Sequence, residues 1–484
     1  MSASIAGRAC PALRPLAAAF AALLATTVAD SAAASPPPAP RAIVVTNCAD
    51  SGSGSLRDAV SNAADGDTID LTQLGCGVIS LSTGAIVMGA SDLTLHGPGA
   101  HALTIMGVGG SGDGVLYDLG GGTLTVDGVD VAFGSKYRSD VNARGGCIYS
   151  NGNVTVSDAH VYACTTRSHA AYDSLGGAIF AAGNAIVSDS QIDLCGVTVE
   201  DGIGKGGGIY AGGDLTLMNS RVSGCRVATA TRGLGGGIYA GGDFVAKYST
   251  ISDNTVDHDD GTLSLGGGIY TLGDAHLYWS TLSGNSAGSG GGAFMTGGNN
   301  GHTAVISEST ISGNEAHAAG GVRADLPLRL YNSTIAFNRI PRPTSQPIGY
   351  STSAGLGVTA TPVLIESSII ANNVAYGVVD ELADLGGDIP ATAAGGNDLI
   401  MSSALTPPPD TIDDDPQLRP LADNGGPTAT HALPTGSPAI DHGNNVGAFS
   451  TDQRGSGFVR VLGSGPDIGA YESDPDRIFF DGFE

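Results

Sequence analysis

Short runs of alternating apolar and polar residues recur along the middle of the chain, separated by glycine pairs and by Asn or Cys. Over 215–222, Leu215, Leu217 and Val222 are expected to point inward, and Thr216, Met218 and Ser220 outward. A period of two marks a strand with one buried face. Strands this short, interrupted by Gly and Asn, exclude helical repeats.

The runs belong to repeated units that open GGCIY (145–149), GGAIF (176–180), GGGIY (206–210), GGGIY (235–239), GGGIY (266–270) and GGGAF (290–294), with a degenerate AGGVR (319–323). Their spacing of roughly 24–31 residues lies in the solenoid range. A second apolar stretch completes each unit, and a further copy of it is VLIESSIIANN (363–373). One such unit cannot bury its apolar face alone, so neighbours must stack. Stacked strands run parallel, and the handedness of parallel crossovers makes the coil right-handed. The predicted fold is all-β: a right-handed parallel β-helix over 43–375, with an irregular C-terminal region over 376–472. Strand-like runs over 78–131 read as earlier coils. SLRDAVSNAADGDTIDL (55–71) reads as a short amphipathic helix, a Gly turn and a strand, which suits an N-terminal cap.

The second half of each unit ends in Cys164, Cys195, Cys225, Asn254, Asn285, Asn314, Asn338 or Asn372. Asn suits a left-handed turn, and stacked amides can hydrogen-bond from coil to coil. Coils roughly 4.8 Å apart bring neighbouring cysteines within disulfide range. One inter-coil bridge is therefore expected, Cys164–Cys195 or Cys195–Cys225, against a ladder of reduced thiols. Cys48 is expected to pair with Cys76.

Composition adds the compartment and removes some partners. Residues 1–34 read as a signal peptide: Arg8 and Arg14 precede the apolar run Leu16 to Val28, and Ala32-Ala33-Ala34 offers a cleavage site. Residues 35–42 form a Pro-rich linker. Gly is 76 of 484 residues, as many tight turns require. The net charge of −26 disfavours nucleic acid, since phosphate binding needs a basic face.

Several segments resemble known families. GSLRDAVSNAADGDTIDL is similar to the N-terminal segment of secreted bacterial β-helix proteins of the pectin-lyase-like superfamily. That group includes CSLREA-domain proteins, although Gly54 stands where their Cys would be. LTLHGPGAHALTIMG (93–107) is similar to their first coils. The repeats resemble the polymorphic outer membrane protein repeat: Gly176-Gly177-Ala178-Ile179 matches its GGA[IL] mark, while [ILV]-S-x-N replaces its FxxN mark. SPAIDHGN (437–444), TDQRG (451–455) and GPDIGAYE (465–472) resemble the choice-of-anchor Q domain. DRIFFDGFE (476–484) is similar to a tail of exported Gram-negative proteins, so 473–484 reads as a sorting or anchoring tail. The resemblance implies a β-helix exported to the cell surface or beyond the outer membrane. It implies no single activity, because the fold hosts lyases, hydrolases and adhesins. Polymorphic membrane proteins end in a membrane barrel, and no barrel pattern follows residue 375.

Candidate chemistry is sparse. GxGxxG at Gly107 and Gly202 lacks a strand–turn–helix setting, so no nucleotide site is expected. Arg339-Ile-Pro-Arg342 resembles the RxPxxR of pectate lyases only faintly, and reads as a loop. Asp127, Asp158 and Asp189 on successive coils could supply a hydrolase's carboxylate pair. Asp257-His258-Asp259-Asp260 and Asp413-Asp414-Asp415 could hold Ca²⁺ but read as solvated acidic loops, so no cofactor is expected. The most distinctive feature is an aromatic column: Tyr149, Phe180, Tyr210, Tyr239, Tyr270 and Phe294 hold one position in six units. It is either an outward stripe that binds carbohydrate or a cell-surface protein, or an internal stacking ladder covered by loops. The reading is an exported, non-catalytic, adhesin-like surface that meets the export machinery through its leader and tail. The alternative is a polysaccharide lyase or glycoside hydrolase.

Overall fold

The computed structural model describes residues 39–474, except 109–111, 170, 230, 258–262, 298–300, 342–352, 377–380 and 388–392. The segment read as a signal peptide (1–34), all but the first two residues of the segment read as a tail (473–484) and most of the 257–260 acidic run lie outside the described residues. The described residues from Pro40 onward form one compact unit.

The chain winds into a right-handed parallel β-helix of about 11 turns. One coil shows the plan. Ile148–Ser150 lies in sheet I, Asn153–Ser157 in sheet II and His160–Tyr162 in sheet III. The chain then leaves the coil as Thr165–Ser168 and returns as Ser174–Leu175, two strands of a fourth sheet that stands out as a fin. Neighbouring coils pair strictly in register, Ile148 with Ile179 and Val154 with Ala185, so like residues stack on like. Inward residues such as Ile179, Val187, Ile192, Leu215, Leu217 and Val222 join one continuous core. The stacking continues past residue 375 to Leu399–Ile400. The uneven repeat spacing has a structural cause. Units with a two-stranded fin need 29–31 residues. The unit between Gly266 and Gly290 is shorter because Ser286–Ser289 alone pairs with both fin strands of the coil before it.

The first glycine of each GGxIY unit has φ between +60° and +70° (Gly145, Gly176, Gly206, Gly235, Gly266, Gly290). A Cβ there would meet the carbonyl of the following Ile or Ala, so glycine is favoured at this turn, although Ala319 makes it with φ +53° in the degenerate AGGVR unit. At the other end, Leu56–Ser61 is helical as expected. Ser55 caps it by accepting the Asp58 amide, and Leu56, Ala59 and Val60 cover the first coils.

Two polar ladders line the corners of the coil. Asn254 accepts the Cys225 amide on its Oδ1, and each later ladder Asn accepts the amide N–H and Nδ2–H of the preceding coil's Asn. The sequence runs Asn254, Asn285, Asn314, Asn338, Asn373. The final member is Asn373, not Asn372. The left-handed residue is the one before each ladder position, including Asp253, Phe337 and Asn372, so the ladder residue is free to point inward. The ladder ends at Asp384, whose Oδ1 accepts both donors of Asn373. The second ladder runs Ser190, Ser220, Ser249, Ser280, Ser309, Ser333, Ser368, each hydroxyl accepting the previous serine's amide. Ser220 therefore points into the corner, not outward. A Ser side chain there replaces the partner that the turning backbone loses.

The serine ladder ends at Asp398, whose Oδ1 accepts the Ser368 amide while Oδ2 has no hydrogen-bond partner among the described residues. Burial, and then the charge of Glu366, push its carboxyl up to about 8. A carboxyl raised on folding contributes most below its unfolded value, and that contribution is lost as pH rises toward 8. Stability should therefore fall between pH 4 and pH 8. Asp398→Asn should flatten this slope and melt higher than the parent at pH 8, measured by thermal denaturation across the range.

The cysteines depart from the inter-coil expectation. Cys48–Cys76 is bonded as anticipated, but the second bridge is Cys147–Cys164, within one coil, and Cys195 and Cys225 are buried thiols. The third residue of GGxIY faces the ladder residue across the coil: a Cβ on Gly208 would lie 3.0 Å from the Cys225 sulfur, and one on Gly237 would lie 2.9 Å from the Asn254 amide. Only the 145–149 unit places Cys in that third position, so only Cys164 has a partner. Cys147→Ser should cost about 3 kcal/mol, the entropy of closing a loop this long. Denaturant unfolding of both proteins measures it, and an equal cost in Cys164→Ser would assign the effect to the bond. The two disulfides mark a chain that folds in an oxidising compartment.

Beyond Ile400 the chain forms no further strands among the described residues and packs along the outside of sheet III. The motif residues Asp452, Gln453, Arg454, Asp467, Tyr471 and Glu472 are all buried there. Gln453 bonds Thr281 and Thr310 at 2.9 and 2.6 Å, His431 meets Ser312 at 2.8 Å, and the Ala470 amide donates to Thr334. Arg460 lies against Glu308 at 3.5 Å and Glu472 at 3.8 Å, all three buried. SPAIDHGN, TDQRG and GPDIGAYE thus hold the C-terminal region on the helix.

Candidate functional site

The aromatic column occupies sheet I, where register pairs Tyr149–Phe180–Tyr210–Tyr239–Tyr270–Phe294 in sequence. The preceding Ile or Ala is buried inside the coil, so the rings point out, into the angle between sheet I and the fin. There they stack face to face, with centroids 4.9–5.7 Å apart and planes within 18°. Leu175, Ile203, Leu234 and Leu265 of the returning fin strands pack against them. Five of the six residues are buried and Tyr210 is half-buried. The ring faces are thus turned to one another, and each pair contributes about 0.5–1.5 kcal/mol. Burial pushes the Tyr239 hydroxyl up to about 12.

Sequence reading missed the column's first member. Tyr117 stacks on Tyr149 at 4.2 Å. Its coil lacks the glycine pair, but Leu116-Tyr117 repeats the Ile-Tyr dipeptide of later units, and that signal could have found it.

Around this head of the column, cations gather. Lys136 and Arg138 lie on the outgoing fin strand Ser135–Arg138, and Arg144 on the returning strand Ala143–Arg144. With Tyr117, Val141, Asn142, Tyr149 and Tyr172 they line a cavity of about 440 Å³. The Lys136 ammonium sits 4.2 Å above the Tyr117 ring and donates to the Asp113 carbonyl at 3.1 Å. Arg144 lies over Phe180 at 5.2 Å, and its buried Nε has no hydrogen-bond partner among the described residues. The Asp113 carboxylate lies 4.0 Å from Arg138. Burial, and then the like charge of Arg138, lower the Lys136 ammonium to about 8, against the pull of Asp113. Further along the column Lys205 lies over Tyr239 and Arg323 over Phe294. A chain with 21 cations against 47 carboxylates thus sets five of them beside one row of rings. Such a groove can hold a carboxylate through Arg138 and Arg144, and Lys136 can take or hold a proton near neutrality.

The other expected candidates lie apart. Asp158 and Asp189 share the corner before the serine ladder, but Asp127 pairs in register with Ser157 and binds its hydroxyl and His96. Arg339 pairs with Glu315 at 2.6 Å, and Arg342 lies outside the described residues. Asp413, Asp414 and Asp415 are exposed, with Asp415 accepting the Gln417 amide.

No family model matches the chain, and no curated protein does. Among solved structures, a PL6 alginate lyase in complex with a trisaccharide aligns over 82% of this chain and 92% of its own, at 10% identity and a TM-score of 0.32.

Proposed function

We propose that the protein is an exported β-helix that binds an acidic polysaccharide at the head of the aromatic column. The observation that carries this reading is the cavity lined by Lys136, Arg138, Arg144, Tyr117 and Tyr149 in a chain of net charge −26. Uronate carboxylates suit the guanidinium groups, and sugar rings suit the tyrosine edges and the open Tyr172. The aromatic column acts as the rigid spine of this surface, and the cations give it its ligand. Export follows from the leader-like N-terminus and accords with the two disulfides. The resemblance of the C-terminal motifs supports attachment at the cell surface of a Gram-negative bacterium.

A second reading is cleavage, favoured by the lowered Lys136 ammonium. A neutral Lys136 could take the C5 proton of a uronate while the C4–oxygen bond breaks and the leaving sugar gains a proton. The two readings have opposite pH signatures. Binding through a charged Lys136 weakens as pH rises through about 8, whereas elimination by a neutral Lys136 speeds up over the same range. Polygalacturonate and alginate, with a neutral glucan as control, test both, by calorimetry and by ultraviolet absorbance of an unsaturated product. Arg144→Gln and Lys136→Ala should each weaken polyuronate binding by at least about ten-fold. Polyuronate binding unchanged in both variants would overturn the site.

A further inference from the structure

Away from that cavity, three coils bring two imidazoles and a carboxylate together beside sheet III. His101 lies in the turn before Thr104–Gly107, Asp130 opens Asp130–Ala132 and His160 opens His160–Tyr162. Register sets Thr104 beside Asp130 and Val131 beside Val161, which places His160 next to Asp130. One ligand atom from each of the three lies within 4.8 Å of the others. We propose that His101, Asp130 and His160 bind a first-row divalent transition ion of the zinc type, clipping three successive coils together.

Three observations carry this. The Asp130 side chain is 4% exposed, and its described partners are the His101 Nδ1 at 3.2 Å and the His160 amide at 2.8 Å, with no Lys or Arg. A carboxylate that deep in the wall calls for positive charge, and a cation between the imidazoles supplies it. His160 is also held as a metal-bearing imidazole is held. Its Nε2 lies 3.1 Å from Asp193, whose other oxygen accepts the Ser223 hydroxyl, and the Tyr162 ring stacks on it at 4.4 Å. With Nε2–H donated to Asp193, the lone pair of the neutral ring is on Nδ1. Finally, the donor set is chemically selective. Two imidazoles and one carboxylate suit zinc and its neighbours, whereas Ca²⁺ takes oxygen ligands alone. His101 is 62% exposed, so a fourth position faces solvent, as in zinc sites that keep a water ligand.

A second grouping, Asp243, Asp274 and His302, serves as the control. The Oδ1 atoms of its two aspartates already accept backbone amides of the next coil, Asp274 onto Asp243 and Thr303 onto Asp274. Asp130 accepts a next-coil amide in the same way, but the Asp243 and Asp274 side chains are 53% and 37% exposed, so water meets their charge without an ion.

The untagged chain, stripped with a chelator, should bind one equivalent of Co²⁺ with visible bands of low coordination number, and Zn²⁺ should displace it. Two substitutions remove ligands gently. His101→Asn keeps a residue that tolerates the φ of +66°, and His160→Gln copies Gln191, which holds the same register position one coil on. Each should weaken binding by at least about 100-fold and abolish the cobalt bands, while leaving the metal-free melting temperature within a few degrees of the parent. His302→Gln should change neither binding nor spectrum. Absence of a saturable single equivalent overturns the site. So do bands that persist in both folded variants, or binding lost in His302→Gln.

Discussion

Replacing Arg460 with methionine should destabilise the protein by about 3–5 kcal/mol at pH 8. Arg460 is fully buried between the C-terminal region and sheet III, and donates to the Asp467 carbonyl. Its charge faces Glu308 and Glu472, both also buried. Methionine fills much of the volume but leaves two buried carboxyls without a cation. Burial already raises Glu308 well above the usual carboxyl range and Glu472 to about 8, despite the lowering by Arg460. Without the guanidinium both rise further. A carboxyl raised on folding is tolerated when protonated, below its unfolded value, and becomes costly as pH climbs through the folded value. The deficit should therefore be smaller at pH 5 than at pH 8. Denaturant unfolding at the two pH values measures it, and limited proteolysis should show residues 401–474 released first. An equal deficit at both pH values would mean that lost packing, not unpaired charge, dominates.

Asn285→Ala should cost about 3–5 kcal/mol and lower cooperativity in the middle of the stack. The Asn285 Oδ1 accepts the amide and Nδ2 protons of Asn254, while its Nδ2 donates to Ile251 and Asn314. Alanine leaves two donors of Asn254 and the Ile251 carbonyl with no partner in a fully buried corner. Asn285→Asp tests the logic of the ladder. It keeps the acceptor for Asn254 but turns a carboxylate toward the Asn314 Oδ1 and the Ile251 carbonyl, so it should be at least as damaging as alanine. The same residue type is accommodated at Asp384 because no further coil needs a donor there, and the Ser402 hydroxyl meets its second oxygen. Thermal and denaturant unfolding of the three proteins decides this; a mild Asn285→Asp would mean that the ladder does not transmit donor and acceptor roles along the stack.

Much of the fold could be read from local pattern. The Ile and Tyr of each GGxIY unit, the alternation at Leu215 and Leu217 and the recurring Asn mark strand, turn and stacking direction, because in-register coils force like residues onto like. The candidate site was only half legible. The six later rings of the column share one motif position, but Lys136, Arg138 and Arg144 share none. They meet Tyr117 and Tyr149 because the fin folds back beside sheet I, and the fin strands are too short and too variable to show a period.

By itself the sequence determined what depends on spacing: the β-helix, its coil period, the helical cap at Leu56–Ser61, the Cys48–Cys76 pair and the aromatic row. Only the tertiary structure decided which way the ambiguous positions face and what covers them. Ser220 reads as an outward polar residue, yet a left-handed Asn219 swings it into the corner, where the turning backbone needs an acceptor. Cys164 reads as a link along the stack, yet its side chain points across the coil to Cys147. Glu308 and Thr310 lie on the outside of the coil, yet the C-terminal region covers them and makes Glu308 part of a buried ion cluster. Alternation records the side of a strand on which a residue lies. Whether that side meets water depends on segments more than a hundred residues away, to which a local period is blind.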